Sequence, residues 1–211
     1  MIPRPTFLLL LASASAQTAA QPQAPGQPDP ARVTAGTYLA DPQHTLVGWR
    51  VNHMGFNDYF GLFGSIQGTL VLDPANPSAA RLAVRIPIRK LTVASEGLRG
   101  HLLMPGSMAD KPDYFGPKPS DALFTSTSVK PDADGVRATI DGKLTLNGQT
   151  HPVTVAARFT GAGKNPLSRK ETVGFEGTAT IKRSDWGLDS DIPLVGDEVR
   201  LEITAGFEKQ S

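Results

Sequence analysis

The sequence predicts an all-β domain of about eight antiparallel strands, arranged as an up-and-down barrel or a sandwich. Three observations carry that reading. The stretch VRATIDGKLTLNGQTHPVTVAARFT, residues 136–160, places Asn147-Gly148 between two alternating runs, a strong short-range hairpin signal. From Val33 onward, apolar residues recur at every second position through most of the chain. Gly, Pro, Asn and Asp punctuate these runs at short intervals.

Taken in order, the chain opens with Arg4, an apolar run from Phe7 to Leu11 and the small residues Ala14-Ser15-Ala16, the pattern of a secretory signal peptide over residues 1–16. That run is far shorter than the roughly 20 apolar residues that span a bilayer, so the mature chain is expected to lack a transmembrane segment and to be periplasmic or secreted. Residues 17–32, rich in Pro, Gln and Ala, hold no large apolar side chain and read as a disordered leader. The folded domain is expected over residues 33–209.

Thr45 to His53 sets Thr45, Val47, Trp49, Val51 and His53 on one face, and the Trp face is expected to look inward. The Gly- and aromatic-rich passage MGFNDYFGLFG follows. Ser65 to Leu72 carries Ile66, Leu70 and Leu72 on one side and stops at Asp73-Pro74. Arg81 to Ile88 sets Leu82, Val84, Ile86 and Ile88 against Arg81, Ala83 and Arg85; Pro87, on the outer face, lacks an N–H and argues for a strand edge or bulge.

Ser95 to Leu103 is the one helical candidate, with Ser95 as N-cap and Leu98 and Leu102 one turn apart, although Gly97 and Gly100 weaken it. Met104 to Pro119 reads as an irregular crossover that contains the aromatic pair Tyr114-Phe115. Ala122 to Val129 is a Ser/Thr-rich strand whose bulky member, Phe124, favours Ala122, Phe124 and Ser126 as the inward set.

In the central hairpin a two-residue turn sets Leu144 opposite His151, Ile140 opposite Val155 and Ala138 opposite Ala157. Arg137, Thr139, Asp141, Lys143, Thr154 and Arg158 fall on the wet face. Thr172 to Arg183 turns Val173, Phe175, Ala179 and Ile181 one way, and Glu198 to Glu208 does the same with Val199, Leu201, Ile203, Ala205 and Phe207.

Composition excludes several functions. With 21 Lys and Arg against 20 Asp and Glu there is no broad electrostatic case for nucleic acid or an anionic membrane surface. The chain has no Cys, which removes disulfides, thiol nucleophiles and thiolate metal sites. Its four His show no i, i+4 pairing, and neither a nucleophile elbow nor a glycine-rich phosphate loop is present.

Several segments together resemble the YceI family of secreted, lipocalin-like proteins. They are Tyr38-Leu-Ala-Asp-Pro-Gln-His44, Val51-Asn-His53-Met-Gly, Phe60-Gly-Leu-Phe-Gly64, Leu144-Thr-Leu-Asn-Gly-Gln-Thr-His-Pro-Val153, Arg183-Ser-Asp-Trp-Gly187 and Val195-Gly-Asp-Glu-Val199. The resemblance runs in order along residues 37–208. It implies an eight-stranded antiparallel barrel with a short helix and an irregular crossover near one end. Its long apolar interior would hold a polyisoprenoid, an isoprenoid quinone or another long-chain isoprenoid or acyl lipid, in the bacterial periplasm and often as a homodimer. Where the family has Arg-Asp-x-His-Leu, this chain has Arg99-Gly100-His101-Leu102, so a carboxylate expected near the barrel mouth is missing.

On this reading Trp49, Val51, Leu70, Val84, Ile86, Ile140, Leu144, Val155, Phe159, Phe175, Ile181 and Leu201 line the interior, with Leu102 and Phe115 near its mouth. His53, Arg99, His101 and His151 are the candidate head-group contacts, while Arg183, Asp185 and Trp186 read as a turn-fixing network. No catalytic residue, metal or cofactor is expected beyond the bound lipid. Two other readings stand beside it: a His-dependent lipid hydrolase or isomerase, with or without a metal, and a ligand-free interaction module that uses the outer sheet or the rim.

Overall fold

The computed structural model describes residues 23–106 and 111–210; the expected signal peptide lies outside them. Asn147 and Gly148 take left-handed φ values of 49° and 75°, as a type I′ turn requires. That turn joins β7 (Arg137–Leu146) to β8 (Gln149–Lys164) in the expected register, with Leu144 opposite His151, Ile140 opposite Val155 and Ala138 opposite Ala157. From this hairpin the sheet extends through β9 (Glu171–Lys182) and β10 (Val195–Lys209) on one side, and through β6 (Ala122–Pro131) and β5 (Arg81–Ile86) on the other.

The remaining strands close it. β1 (Gly36–Ala40) and β2 (Leu46–His53) both pair with β10, whose residues 207–209 face β1 and whose residues 195–204 face β2. They are two lengths of one stave, interrupted where Thr45 is buried. There Thr45 Oγ1 donates to the Gly206 carbonyl at 3.1 Å and accepts from Gly206 N at 3.2 Å, filling the missing rung. β3 (Asn57–Phe63) pairs with β2, and β4 (Gln67–Leu72) with β1 and β5. β3 and β4, which flank the two lengths of that stave in turn, make a second divided stave, so the ten strands form the eight-stranded antiparallel barrel expected from sequence, with neighbours in chain order throughout.

β1 and β3 were not among the eight runs. β1 is only five residues long. β3 hides behind an I′ turn at Met54-Gly55, where a Met rather than Asn or Asp carries the positive φ of 54°. Gly61 within β3 is required by packing: a Cβ there would lie 2.5 Å from Trp49 Cζ2. Strand β5 stops at Ile86, and Pro87 is buried rather than outward-facing, opening a 3-10 turn over Ile88–Lys90.

Beside β3 the wall is completed differently. On that side β3 makes one bridge, Leu62 to Thr92, among residues 87–106 and 111–121 of the crossover. Within it lies α1 (Glu96–Leu103), capped as expected by Ser95, whose Oγ accepts from Leu98 N at 3.2 Å. Leu102 and Leu98 of α1 pack with Leu91, Val93, Trp49, Phe63 and Phe115. Phe115 N donates to the Leu102 carbonyl at 3.1 Å, pinning the crossover to the helix.

Part of the stretch read as disordered leader is ordered. Gln27 bridges Ala162 of β8 through bonds of 3.0 and 2.9 Å, and Arg32 Nη1 donates to the Pro25 carbonyl at 3.2 Å. The reason is local: Gly161 and Gly163 leave β8 bare enough for the backbone at Pro25–Gln27 to lie against it.

Candidate ligand-binding cavity

Alternation decides what faces inward. Along β2, Val47, Trp49, Val51 and His53 point to the axis; β5 contributes Val84 and Ile86, β7 Ile140 and Leu144, and β10 Val199, Leu201 and Ile203. These side chains leave the axis open. A helix-side cavity of about 450 Å³ lies under α1 and the crossover, and a far cavity of about 410 Å³ occupies the opposite half. Val47, Ile86, Leu144 and Leu201 line both, so the two volumes border one ring of side chains, a waist between the two halves.

The structure brings every sequence-predicted wall residue to one of these cavities. Trp49, Val51, Leu102, Phe115 and Ile181 line the helix-side cavity, and Leu70, Val84, Ile140, Val155, Phe159 and Phe175 the far one, with Ile86, Leu144 and Leu201 at the waist. Around the far cavity, Phe159 meets Phe175 and Phe175 meets Phe207, edge to face, with centroids 5.8 and 6.3 Å apart.

The four head-group candidates divide. His53 and His101 line the helix-side cavity; Arg99 and His151 line neither. His53 packs on Tyr59 with centroids 4.7 Å apart, and His101 packs edge-on to Tyr114 at 5.2 Å. The His151 ring instead stands against Trp186 at 5.2 Å, beside the turn that follows β9. Arg99 sits half-buried on α1.

Polar groups that the sequence reading did not place in the cavity gather at its helix-side end. Tyr114 Oη donates to Asp191 Oδ2 at 2.8 Å, and Lys111 Nζ pairs with Asp189 at 2.8 Å, so the crossover is latched to the β9–β10 connection. Burial pushes the Tyr114 hydroxyl up to about 12, and its hydrogen bond to Asp191 and that carboxylate's charge push the same way. The carboxylates that latch the crossover here are Asp189 and Asp191, and the charge of Asp113 also acts on the Tyr114 hydroxyl. No local pattern could have shown this, because Tyr114 and Asp191 are 77 positions apart.

Arg183, read from sequence as part of a turn-fixing network, also borders the cavity. Its guanidinium fixes the turn, donating from Nε to the Gly196 carbonyl and from Nη2 to the Val195 carbonyl, each at 2.8 Å, and from Nη1 to the Leu188 carbonyl. It also lines the cavity and lies 5.8 Å from the centre of the Tyr114 ring. Trp186 Nε1 donates to the Leu144 carbonyl at 3.1 Å. In contrast, the buried Nε1–H of the cavity-lining Trp49 has no acceptor among the described residues. Among the described residues, no three His, Asp or Glu side chains are grouped to hold a metal ion.

A closed antiparallel wall around a divided, mostly apolar interior defines a lipocalin-like barrel. The domain model described as YceI-like matches residues 38–207, and the chain belongs to the YceI-like family. It is 35% identical over 162 residues to a UPF0312 protein of Pseudomonas paraeruginosa, covering 77% of this chain and 80% of that one. It is likewise 35% identical over 163 residues to Protein YceI of Escherichia coli O17:K52:H18, with the same coverage. Among solved structures, Burkholderia cenocepacia BcnA aligns with a TM-score of 0.64 at 23% identity, covering 77% of this chain and 95% of that chain. A polyisoprenoid binding domain from Saccharophagus degradans, implicated in plant cell wall breakdown, aligns with a TM-score of 0.51 at 12% identity, covering 84% and 100%.

Proposed function

We propose that the protein binds one long-chain amphiphile, a polyisoprenoid or similar lipid, and carries, stores or sequesters it after export to the periplasm or beyond. The tail lies along the barrel axis through both cavities, and the head group sits among His53, His101, Tyr114 and Arg183. The observation that carries this reading is the pair of mostly apolar cavities sharing Val47, Ile86, Leu144 and Leu201, with His53, His101, Tyr114 and Arg183 among the side chains that line the helix-side one.

Magnitudes favour an occupied interior. At ~24 cal/mol per Å³, an unfilled cavity of about 450 Å³ would cost on the order of 10 kcal/mol, an upper bound comparable with the roughly 5–15 kcal/mol stability of a whole domain. A chain of about 20 buried carbons at ~0.8 kcal/mol each gains ~16 kcal/mol gross, before the entropy of binding is subtracted. The unpaired Trp49 N–H adds a chemical preference, since a carbonyl or hydroxyl oxygen on the ligand would satisfy it.

The reading is of a carrier rather than a catalyst. The polar groups lining the cavity are engaged structurally, Tyr114 with Asp191 and Arg183 with main-chain carbonyls. The Saccharophagus degradans domain described as polyisoprenoid binding shares the fold, which supports this class of ligand. Among the described residues no helix is long and apolar enough to cross a membrane. Native mass spectrometry and solvent extraction of the purified protein should return a stoichiometric long-chain lipid. Protein that yields none and takes up none when offered would defeat the proposal.

A further inference from the structure

The end of the barrel that opens on the helix-side cavity is also where large apolar side chains stand in solvent. Two loops meet there: Met54 N, in the β2–β3 turn, donates to the Leu194 carbonyl, in the connection to β10, at 2.7 Å. Phe56 is 84% exposed, Leu194 58% and Met54 48%, with Ile192 exposed on the same connection. Met54 and Leu194 also line the cavity, so the exposed collar and the apolar interior are continuous. The collar is built, because Phe56 N bonds the His53 carbonyl at 3.1 Å and Gly55 N bonds Asn52 Oδ1 at 2.8 Å. The far cavity is bordered differently, by Pro30, Pro74, Pro77 and Pro131 with Arg81 and Arg137, the last paired with Asp132 and Asp134.

We infer that this collar docks the barrel on a lipid bilayer, inserting Phe56, Met54 and Leu194 at the boundary between head groups and acyl chains. The inference rests on the proposed cargo. A long-chain amphiphile has its own solvent in the bilayer, and a collar continuous with the tunnel passes the chain between two apolar phases without an exposure to water. Charge sets the kind of surface. Around the collar Asp189 is paired with Lys111 and Asp58 with Arg200, and Arg50 lies over the Phe60 ring at 4.9 Å, so these cations are already engaged. Docking is therefore hydrophobic and needs no anionic lipid. The connection that bears Ile192 and Leu194 also bears Asp189 and Asp191, which hold the crossover over the cavity, so a docked collar puts that latch at the membrane surface.

The test is flotation of the mature chain with vesicles of phosphatidylcholine alone and of phosphatidylcholine with phosphatidylglycerol, at low and high salt. The double variant Phe56→Ser/Leu194→Ser should partition about tenfold or more weakly. Leu167→Ser, which changes the 92% exposed apolar residue in the β8–β9 turn, should leave binding as it was. Binding should persist in high salt and on the neutral vesicles. Equal binding by the double variant, an equal loss with Leu167→Ser, release by salt, or a wild-type chain that does not float would each overturn the inference. So would sedimentation showing a wild-type dimer that the double variant splits, since the collar would then be an interface between copies. Lipid extracted from the same preparations reads the cargo separately: a loaded barrel that ignores vesicles overturns docking alone, and a barrel that floats while empty supports docking and overturns the cargo.

Discussion

Asp141 shows how one side chain on the wet face ties three elements together. It accepts from Lys130 Nζ and Thr154 Oγ1 at 2.8 Å and from Ser128 Oγ at 2.9 Å, gathering β6, β7 and β8. The Lys130 bond leads in holding its carboxyl down, with the two hydroxyl bonds adding, to about 2. Because the folded value lies below that of an unfolded carboxyl near ~3.9, the stabilisation is present in full above about pH 4 and is lost as pH falls toward about 2. Asp141→Asn should lower the unfolding midpoint at neutral pH and flatten its dependence on pH across that window, as thermal melts at stepped pH would show. A slope as steep as wild type would mean the acid sensitivity lies elsewhere. At this scale alternation fixes which face a side chain occupies. It was silent on depth along the axis, which is why His151, inward in parity, meets Trp186 and not the cavity.

The hairpin of β7 and β8 was the most legible element, since its turn residues and its alternation specify one register. β3 was the least legible. Its turn carries a Met where a left-handed conformation is needed, and its side chains alternate between exposed Phe60 and Leu62 and half-buried Phe63, so neither turn chemistry nor a polar face announces it. The face assignment of β7 can be tested directly. Ile140 lines the far cavity, whereas Thr139 lies opposite Lys130 on the outer surface. Ile140→Asp would place a carboxylate on the mostly apolar wall of the far cavity, and should cost several kcal/mol or expel the lipid. Thr139→Asp should stay within about 0.5 kcal/mol. Urea unfolding with lipid extraction distinguishes the two, and equal effects would reverse the faces.

At the scale of the molecule, closure turns eight amphipathic staves into a container, and its length depends on the waist. Each cavity alone, at about 450 and 410 Å³, falls in the usual range for a small-ligand pocket of roughly 300–1,000 Å³. A long chain needs both, passing the ring of Val47, Ile86, Leu144 and Leu201 that they share. Local sequence could not show that union, because the open axis depends on the diameter set by strand number and stagger, together with the side chains that leave it unfilled. Leu201 lies between Trp49 on β2 and Ala179 on β9 in register, and its side chain borders free volume on both sides of the waist. Leu201→Trp therefore adds bulk where space exists, and the barrel should keep its fold, with a melting temperature within a few degrees of wild type. The long-chain lipid should be lost, while an amphiphile of about ten carbons still binds the helix-side half with its head near Tyr114. Mass spectrometry of the copurified lipid, followed by titration with amphiphiles of graded chain length, reads both halves of this expectation. Retention of the original lipid at full stoichiometry in a folded Leu201→Trp barrel would mean that the chain does not pass the waist and that the two cavities act separately.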